Sequence, residues 1–364
     1  MPAFSGTLNA NEIFSSLFNM IISQQINASN IKEGFSSLVN RARVDGGLYG
    51  DTKLYYDTDV LKSHAWGGDT EAANLLSLDR PADPECQAIF LNTFRQIRVT
   101  VDYYLSKRAW KDEGSFAQFN AVTLGWLRET KKVYDQTTYN AFVGAHASSV
   151  QADENIDLSS ITAAVTTADE ESLARLRAQR IGKGLADLMI RMKDVSREFN
   201  DYGHLKSYDE DEIIVIFNSK FANEITYLDL PTIFHKEGIV NKVSQNILPS
   251  RYFGNILTAS KTVGATDDVR AMYEQEITVG GVQYHLFAGD KFPVGAVVAS
   301  GDGYEVDGTI IAKVVTVLPP YMSAFEVGTS FFNPRSLTEN HYLTFGHNEL
   351  EHLYAHPFVR VMEV

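Results

Sequence analysis

The spacing of apolar residues changes period several times along the chain, and each change predicts an element. In "NANEIFSSLFNMII", Phe14, Leu17, Phe18, Ile21 and Ile22 follow an i, i+3, i+4, i+7, i+8 pattern, which predicts a short helix with one apolar face. Asn9 is placed to cap it, and Glu12 falls at the third helical position, as in a capping box. That face has no evident local partner, so the helix packs either on its own domain or, as an arm, on a neighbouring subunit. Residues 46–100 read differently. "GGLYGDTKLYYDTDVLKSHAWGGD" alternates weakly, "TEAANLLSLDRPADPE" is polar, and "QAIFLNTFRQIRVTVDYYL" is rich in β-branched and aromatic residues. Two strand-like limbs around a polar middle predict an extended two-stranded loop, or else a plain surface hairpin beside the main sheet. Such a loop buries little by itself and needs a cover.

Helical period returns in "SFAQFNAVTLGWLRETKKVYDQTTYNAFVGAH", where Phe116, Phe119, Val122, Trp126, Val133, Tyr134, Ala141, Phe142 and Ala145 trace a stripe behind a Ser115 cap. At about 45 Å, this helix is long for a globular domain. A polar connector leads to a second helix, "EESLARLRAQRIGKGLADLMIRMKDVSREF". Its buried side is predicted as Leu173, Leu176, Leu185, Leu188, Met192, Val195 and Phe199, and its mixed-charge side as solvated and ion-paired. Ile213 to Phe217 form a wholly apolar strand of the kind buried on both faces. "DLPTIFHKEGIV" predicts a brief helix with Pro231 in its first turn. Residues 277–317 have β texture, with turn signals at Gly280-Gly281, Gly289-Asp290, Asp302-Gly303 and Asp307-Gly308.

Composition narrows the function. With 364 residues, 44% of them hydrophobic, the chain can build a substantial core of two or more lobes. A formal charge of −14 argues against binding nucleic acid through phosphate contacts, but suits a protein that lies beside packed nucleic acid without sticking to it. Cys86 is the single cysteine, so neither an internal disulfide nor a thiolate metal cluster is expected. No signal-peptide pattern and no membrane-length apolar run is read, and assembly in a reducing cytoplasm is the expectation.

Candidate chemistry is thin. In "HNELEHLYAHPFVRV", His352 and His356 would share a helix face, the arrangement zinc hydrolases use. However, Pro357 pushes His356 out of the α region, and the zinc motif needs Glu where Leu353 stands. The flanks read as strands, so the histidines are expected as polar positions on a sheet face. "RIGKGLADL" lacks the first glycine and the Ser or Thr of a phosphate loop. "YDEDE" (Asp209 to Glu212) is expected to be solvated, and "GDGYEVDG" lacks the ligand spacing of an EF-hand. No catalytic residue, metal or cofactor is predicted.

The order of elements resembles the major capsid protein of tailed bacteriophages, a shell fold shared with encapsulins and herpesvirus capsid floors. The closing "FFNPRSLTENHYLTFGHNELEHLYAHPFVRVMEV", with its Asn-Pro-Arg turn and aromatic alternating return, looks most like the short-tailed branch. The resemblance covers nearly the whole chain and implies an α+β fold. It would comprise an N-terminal arm (1–47), an extended loop (48–98), a peripheral domain (99–205) with a spine helix at 115–145, an apical domain (206–322) with a β-rich hairpin or insertion at 277–317, and returning strands (323–364).

It implies a non-enzymatic head protein that self-assembles, as pentamers and hexamers, into an icosahedral or prolate shell. Portal and scaffolding proteins would be partners, double-stranded DNA would be enclosed non-specifically, no membrane would be involved, and the virion would form in the host cytoplasm. The alternatives are an encapsulin-like compartment shell or, from another class, a metal-dependent hydrolase. Expected intersubunit contacts are Phe14, Leu17, Phe18 and Ile21 on the arm, and Tyr49, Tyr55, Tyr56, Lys62, His64 and Trp66 on the loop. Arg95, Arg98, Lys107 and Arg108 are expected to form register-setting ion pairs.

Overall fold

The computed structural model describes residues 37–46, 52–63, 80–102, 113–164, 170–222 and 246–364. The predicted N-terminal helix and the one at "DLPTIFHKEGIV" lie outside these residues. In chain order the strands are β1 (Arg43–Asp45), β2 (Thr52–Asp57), β3 (Glu85–Asp102), β4 (Glu154–Ile156), β5 (Ile214–Asn218), β6 (Ile247–Leu248), β7 (Gly254–Ile256), β8 (Lys261–Thr262), β9 (Val269–Ala271), β10 (Gln275–Val279), β11 (Val282–Leu286), β12 (Val297–Val298), β13 (Gly303–Val306), β14 (Ile310–Val315), β15 (Tyr321–Asn333), β16 (Thr338–Asn348) and β17 (Phe358–Glu363). Helices occupy Ser37–Ala42, Glu113–Ala145, Ser159–Ala164 and Glu170–Lys193. The fold is α+β, as the sequence implied.

Packing divides the chain into two compact units. The larger comprises Phe35–Thr93, Tyr134–Ala324 and His347–Val364. At its centre is a five-stranded sheet in the order β4-β17-β14-β5-β6. Strand β14 runs antiparallel to both β17 and β5, and all of its residues are buried. The apolar run that predicted a doubly buried strand is β5, and its alternation sorts it between two cores. Val215 and Phe217 join Ile181, Leu185, Leu188 and Met192 of the Glu170–Lys193 helix. Ile216 joins Tyr139, Phe142 and Val143 of the long helix. Each such apolar side chain contributes about 1.5–3 kcal/mol on full burial, which makes this helix–sheet–helix sandwich the main stabilising element. Gly144 allows the closest helix approach, because a Cβ there would lie 2.2 Å from the Tyr252 carbonyl oxygen.

The smaller unit comprises Met1–Gly34, Phe94–Val133 and Phe325–Gly346. Its described part holds the far half of β3, the first part of the long helix, and the outer ends of β15 and β16. Gln96 Nε2 donates to Thr344 Oγ1 at 3.1 Å, and Thr100 Oγ1 to Asn340 Oδ1 at 2.6 Å. Leu127 and Lys131 of the helix are buried, with the Lys131 ammonium 5.3 Å from the Phe345 ring centre. The strands of a second five-stranded sheet follow the order β1-β15-β16-β3-β2.

Two expectations shift. The second helix stops at Lys193 rather than reaching Phe199, because Ser196 pairs in an isolated bridge with Lys206 and the Asp194 carboxylate captures the next N–H. Val195 and Leu176, expected on its buried side, are exposed. The predicted β-rich stretch 277–317 is also drawn differently. Strand β14 belongs to the central sheet, whereas β7 to β13 form a small β module with its own core of Val263, Val269, Leu286, Phe292 and Val298. The chain enters and leaves that module at one place: Gly254 lies opposite Val306, and the Asp307 N–H donates to the Phe253 carbonyl at 3.0 Å.

Candidate functional site: a moored ribbon with an apolar outer face

Strands β2 and β3 form an antiparallel ribbon in which Thr52 faces Phe90, Leu54 faces Ala88 and Tyr56 faces Cys86. The period of two gives the ribbon two unlike faces. On the inner face Gln87, Ile89 and Leu91 are buried, and Leu91 packs with Met322. On the outer face Leu54, Tyr56 and Phe90 are 51%, 65% and 56% exposed, with Val60 and Leu61 just beyond also exposed. Fully covering each of the first three would contribute about 1.5–3 kcal/mol.

Polar contacts moor the ribbon to the rest of the larger unit. Gln87 Nε2 donates to the His352 carbonyl at 2.9 Å, while its Oε1 accepts the Tyr354 N–H at 3.0 Å. Asn92 holds Glu349 in the same two-sided way, accepting its N–H at 2.8 Å and donating to its carboxylate at 3.2 Å. At the end of β2, Asp57 takes His204 Nδ1 and Lys206 Nζ, each at 2.8 Å. Asp59 accepts the Leu205 N–H at 3.0 Å and Arg197 at 2.8 Å. Those two bonds, the backbone one first, hold the Asp59 carboxyl down at about 2. For Asp57, burial pulls upward, but the bonds from Lys206 and His204 outweigh it and leave the group below its ordinary value.

Beneath the mooring lies a buried polar knot. His352 bridges two groups, its Nε2 lying 2.9 Å from Asp201 Oδ2 and its Nδ1 2.9 Å from His146 Nε2. Asp201 Oδ1 accepts from Ser148 Oγ at 2.8 Å and from Gln151 Nε2 at 2.7 Å. Burial would raise Asp201, yet the donors His352, Gln151 and Ser148 together hold it below the usual range. Burial, with help from His352 and Lys313, depresses His146 to about 3. Lys313, at the centre of β14, donates to the His146 carbonyl, and burial brings it down to about 7. Each of these groups finds a hydrogen-bond partner within the knot, and no cluster of metal-ligating side chains occurs among the described residues.

No family model and no curated protein matches the sequence. Solved structures do. The chain is similar to one in the capsid structure of Staphylococcus phage Andhra, with a TM-score of 0.59 and 11% identity over 94% of this chain and 88% of that one. The fold is that of a phage capsid chain. A chain in the structure of the head fiber and inner core protein gp22 of native bacteriophage P68 gives a TM-score of 0.58 and 11% identity, covering 93% of this chain and 88% of the other.

On this capsid fold, the residues singled out from sequence scatter. Tyr55 is half-buried on the ribbon's inner face, Tyr56 is on the outer face, and Lys62 is exposed beyond β2. Arg95 and Arg98 lie on β3 in the smaller unit. Phe14, Leu17, Phe18, Ile21, Tyr49, His64, Trp66, Lys107 and Arg108 lie outside the described residues. His352 and His356 are not on a sheet face; they sit in the connection between β16 and β17, with His352 buried and His356 half-buried. The strand flanks were read correctly, but Pro357 ends the connection before β17 rather than a helix. Sequence reasoning missed Leu54 and Phe90. Their signal was the alternation in "TKLYYD" and "ECQAIF", where both parities carry large side chains.

Proposed function

We propose that this protein is a shell subunit of a phage head, a structural protein without a catalytic role, whose work is self-assembly. The observation that carries the reading is the fold match to the Staphylococcus phage capsid chain over 94% of this sequence. The ribbon supports it independently. Leu54, Tyr56 and Phe90 stand exposed on an element rigidly moored from behind, an arrangement suited to burial under a neighbouring copy. Permanent interfaces of this kind run to 2,000 Å² or more and are relatively apolar, and many such contacts per subunit reinforce one another. In this reading the arm residues Phe14, Leu17, Phe18 and Ile21 add a second contact. Arg95, Arg98, Lys107 and Arg108 set register, portal and scaffolding proteins assist, and assembly occurs in the host cytoplasm around double-stranded DNA. The charge of −14 then keeps packed DNA from adhering.

Electron microscopy of the purified full chain, alone and with the other head proteins of its phage, tests this. Closed shells of uniform size are expected. A chain that stays monomeric under both conditions, or that forms only open tubes, refutes it.

A further inference from the structure

The outermost strand of the β module is unusual in being unguarded. Strands β10 and β11 form a two-stranded hairpin through Gly280-Gly281, whose φ angles of 59° and 82° are those of a two-residue I′-type turn. Such a turn makes Val279 and Val282 a hydrogen-bonded pair, and the register then fixes the rest. Tyr284 and Leu286 bond inward to β10, while Gln283 and His285 direct their backbone N–H and C=O groups outward. No hydrogen bond reaches those outward groups among the described residues. Ile277 and Val279 of β10 and Leu286 of β11 pack on the module's core, and β11 is the more exposed of the two strands, with Val282 to His285 all open. Natural sheets protect such edges with Lys, Pro or bulges. "VQYHL" has none of these.

We propose that β11 is an interface strand that pairs antiparallel with β11 of a second copy, about a two-fold axis through Tyr284. Gln283 of each copy then faces His285 of the other as a hydrogen-bonded pair, and the two Tyr284 side chains face each other as the closer, non-hydrogen-bonded pair. The charges favour a copy of this same chain as the occupant. On the polar face the row reads Glu276, His285, then the other copy's glutamine and threonine, so like charges never meet although each copy carries −14. On the other face, Val282 and Tyr284 of both copies continue the apolar surface of the module's core. This pairing does not depend on the shell reading, because it concerns any oligomer the full chain forms.

The test is a cysteine crosslink in the full chain carrying Cys86→Ser. A Tyr284→Cys variant places two thiols across a non-hydrogen-bonded pair, at a Cα separation of about 4.5 Å, which a disulfide spans. Mild oxidation is expected to give covalent dimer. Thr278→Cys, on β10, would sit roughly 16 Å from its symmetry mate, three strand spacings across and two residues along, and is expected to give none. Adding Gln283→Pro removes one outward donor per copy without touching the hairpin's backbone bonds, at the cost of the exposed Gln283 Nε2–Glu276 bond, and should lower association about thirtyfold. The same loss should appear by sedimentation in a chain that keeps Tyr284, with an unchanged melting temperature. Equal crosslinking at 278 and 284, crosslinks from 284 to another protein, no crosslink at either, or association unaffected by Gln283→Pro overturns the proposal.

Discussion

The polar knot around Asp201 and the outer face of the ribbon both invert the usual placement of side chains, but in opposite directions. The knot draws an acid, two imidazoles and an amine into the larger unit, with His352 and Lys313 buried and Asp201 and His146 half-buried, and each finds a partner there. The ribbon exposes Leu54, Tyr56 and Phe90, and nothing among the described residues of this chain covers them. Buried polarity is tolerable when it is saturated, and exposed apolar surface on a rigid element signals a missing neighbour. In the proposed reading the chain is self-sufficient in its core and is completed by a neighbour at its edge. Substitutions in the two places should separate stability from assembly.

The largest effect is expected at the ribbon. Changing both Leu54 and Phe90 to Ser should abolish particles in electron micrographs. Urea unfolding of the isolated subunit should shift by less than about 0.5 kcal/mol, as for surface positions generally. A clear loss of subunit stability would show that the outer face already packs within one chain. The converse is expected at the knot. Asp201→Ala leaves His352, Gln151 and Ser148 without their shared acceptor in a half-buried site and should cost about 1–3 kcal/mol. Asp201→Asn, which keeps the shape and one acceptor, should cost less.

Much of this contrast was legible in the sequence, and the reasons it was incomplete are physical. Long periodic elements announced themselves: the helix predicted from 115 to 145 runs from Glu113 to Ala145, and the apolar run at 213–217 is the doubly buried β5. The β module was half missed because strands of two or three residues, such as β7 to β9 and β12, are too short to display a period. The knot was not legible at all. It joins positions 146, 148, 151, 201, 313 and 352, and only the fold brings such distant positions together. The sequence did show the histidines and a reason to doubt a metal helix, but gave no sign that one of them was buried against an aspartate.

Acid should act on the knot before the ribbon. His146 takes up a proton near pH 6.5 in the unfolded chain but near 3 in the folded one. Between those values the unfolded state binds more protons, so stability falls as pH drops through that window, by at most about 1.4 kcal/mol per pH unit. The depressed Asp201 adds to the loss once pH falls below the ordinary carboxylate range. Urea midpoints between pH 7 and 4 should show this slope, and His146→Gln should flatten its upper part. A flat profile in the natural chain would mean that the imidazole reaches water.

The smallest effect of a substitution is expected at Lys313 near pH 10, where its amine is neutral when folded, and it asks whether the core needs this polar group at all. The amine is wholly buried at the middle of β14, 5.6 Å from the Phe358 ring centre, and its only hydrogen bond among the described residues goes to the His146 carbonyl. Folded, it releases its proton near pH 7; unfolded, it does so near 10.5. The unfolded chain therefore holds the extra proton between those values, and stability should rise with pH across that window. Lys313→Met keeps most of the volume and abolishes the titration. It forfeits one hydrogen bond, about 1 kcal/mol, and recovers part of that by packing a thioether against Phe358. Near pH 10 the two chains should therefore differ by less than about 1 kcal/mol, whereas at pH 7 the variant should be the more stable one, because it takes up no proton on unfolding, and the rise toward pH 10 should vanish in it. A loss of several kcal/mol would mean instead that Lys313 stays charged and is as integral to the knot as Asp201.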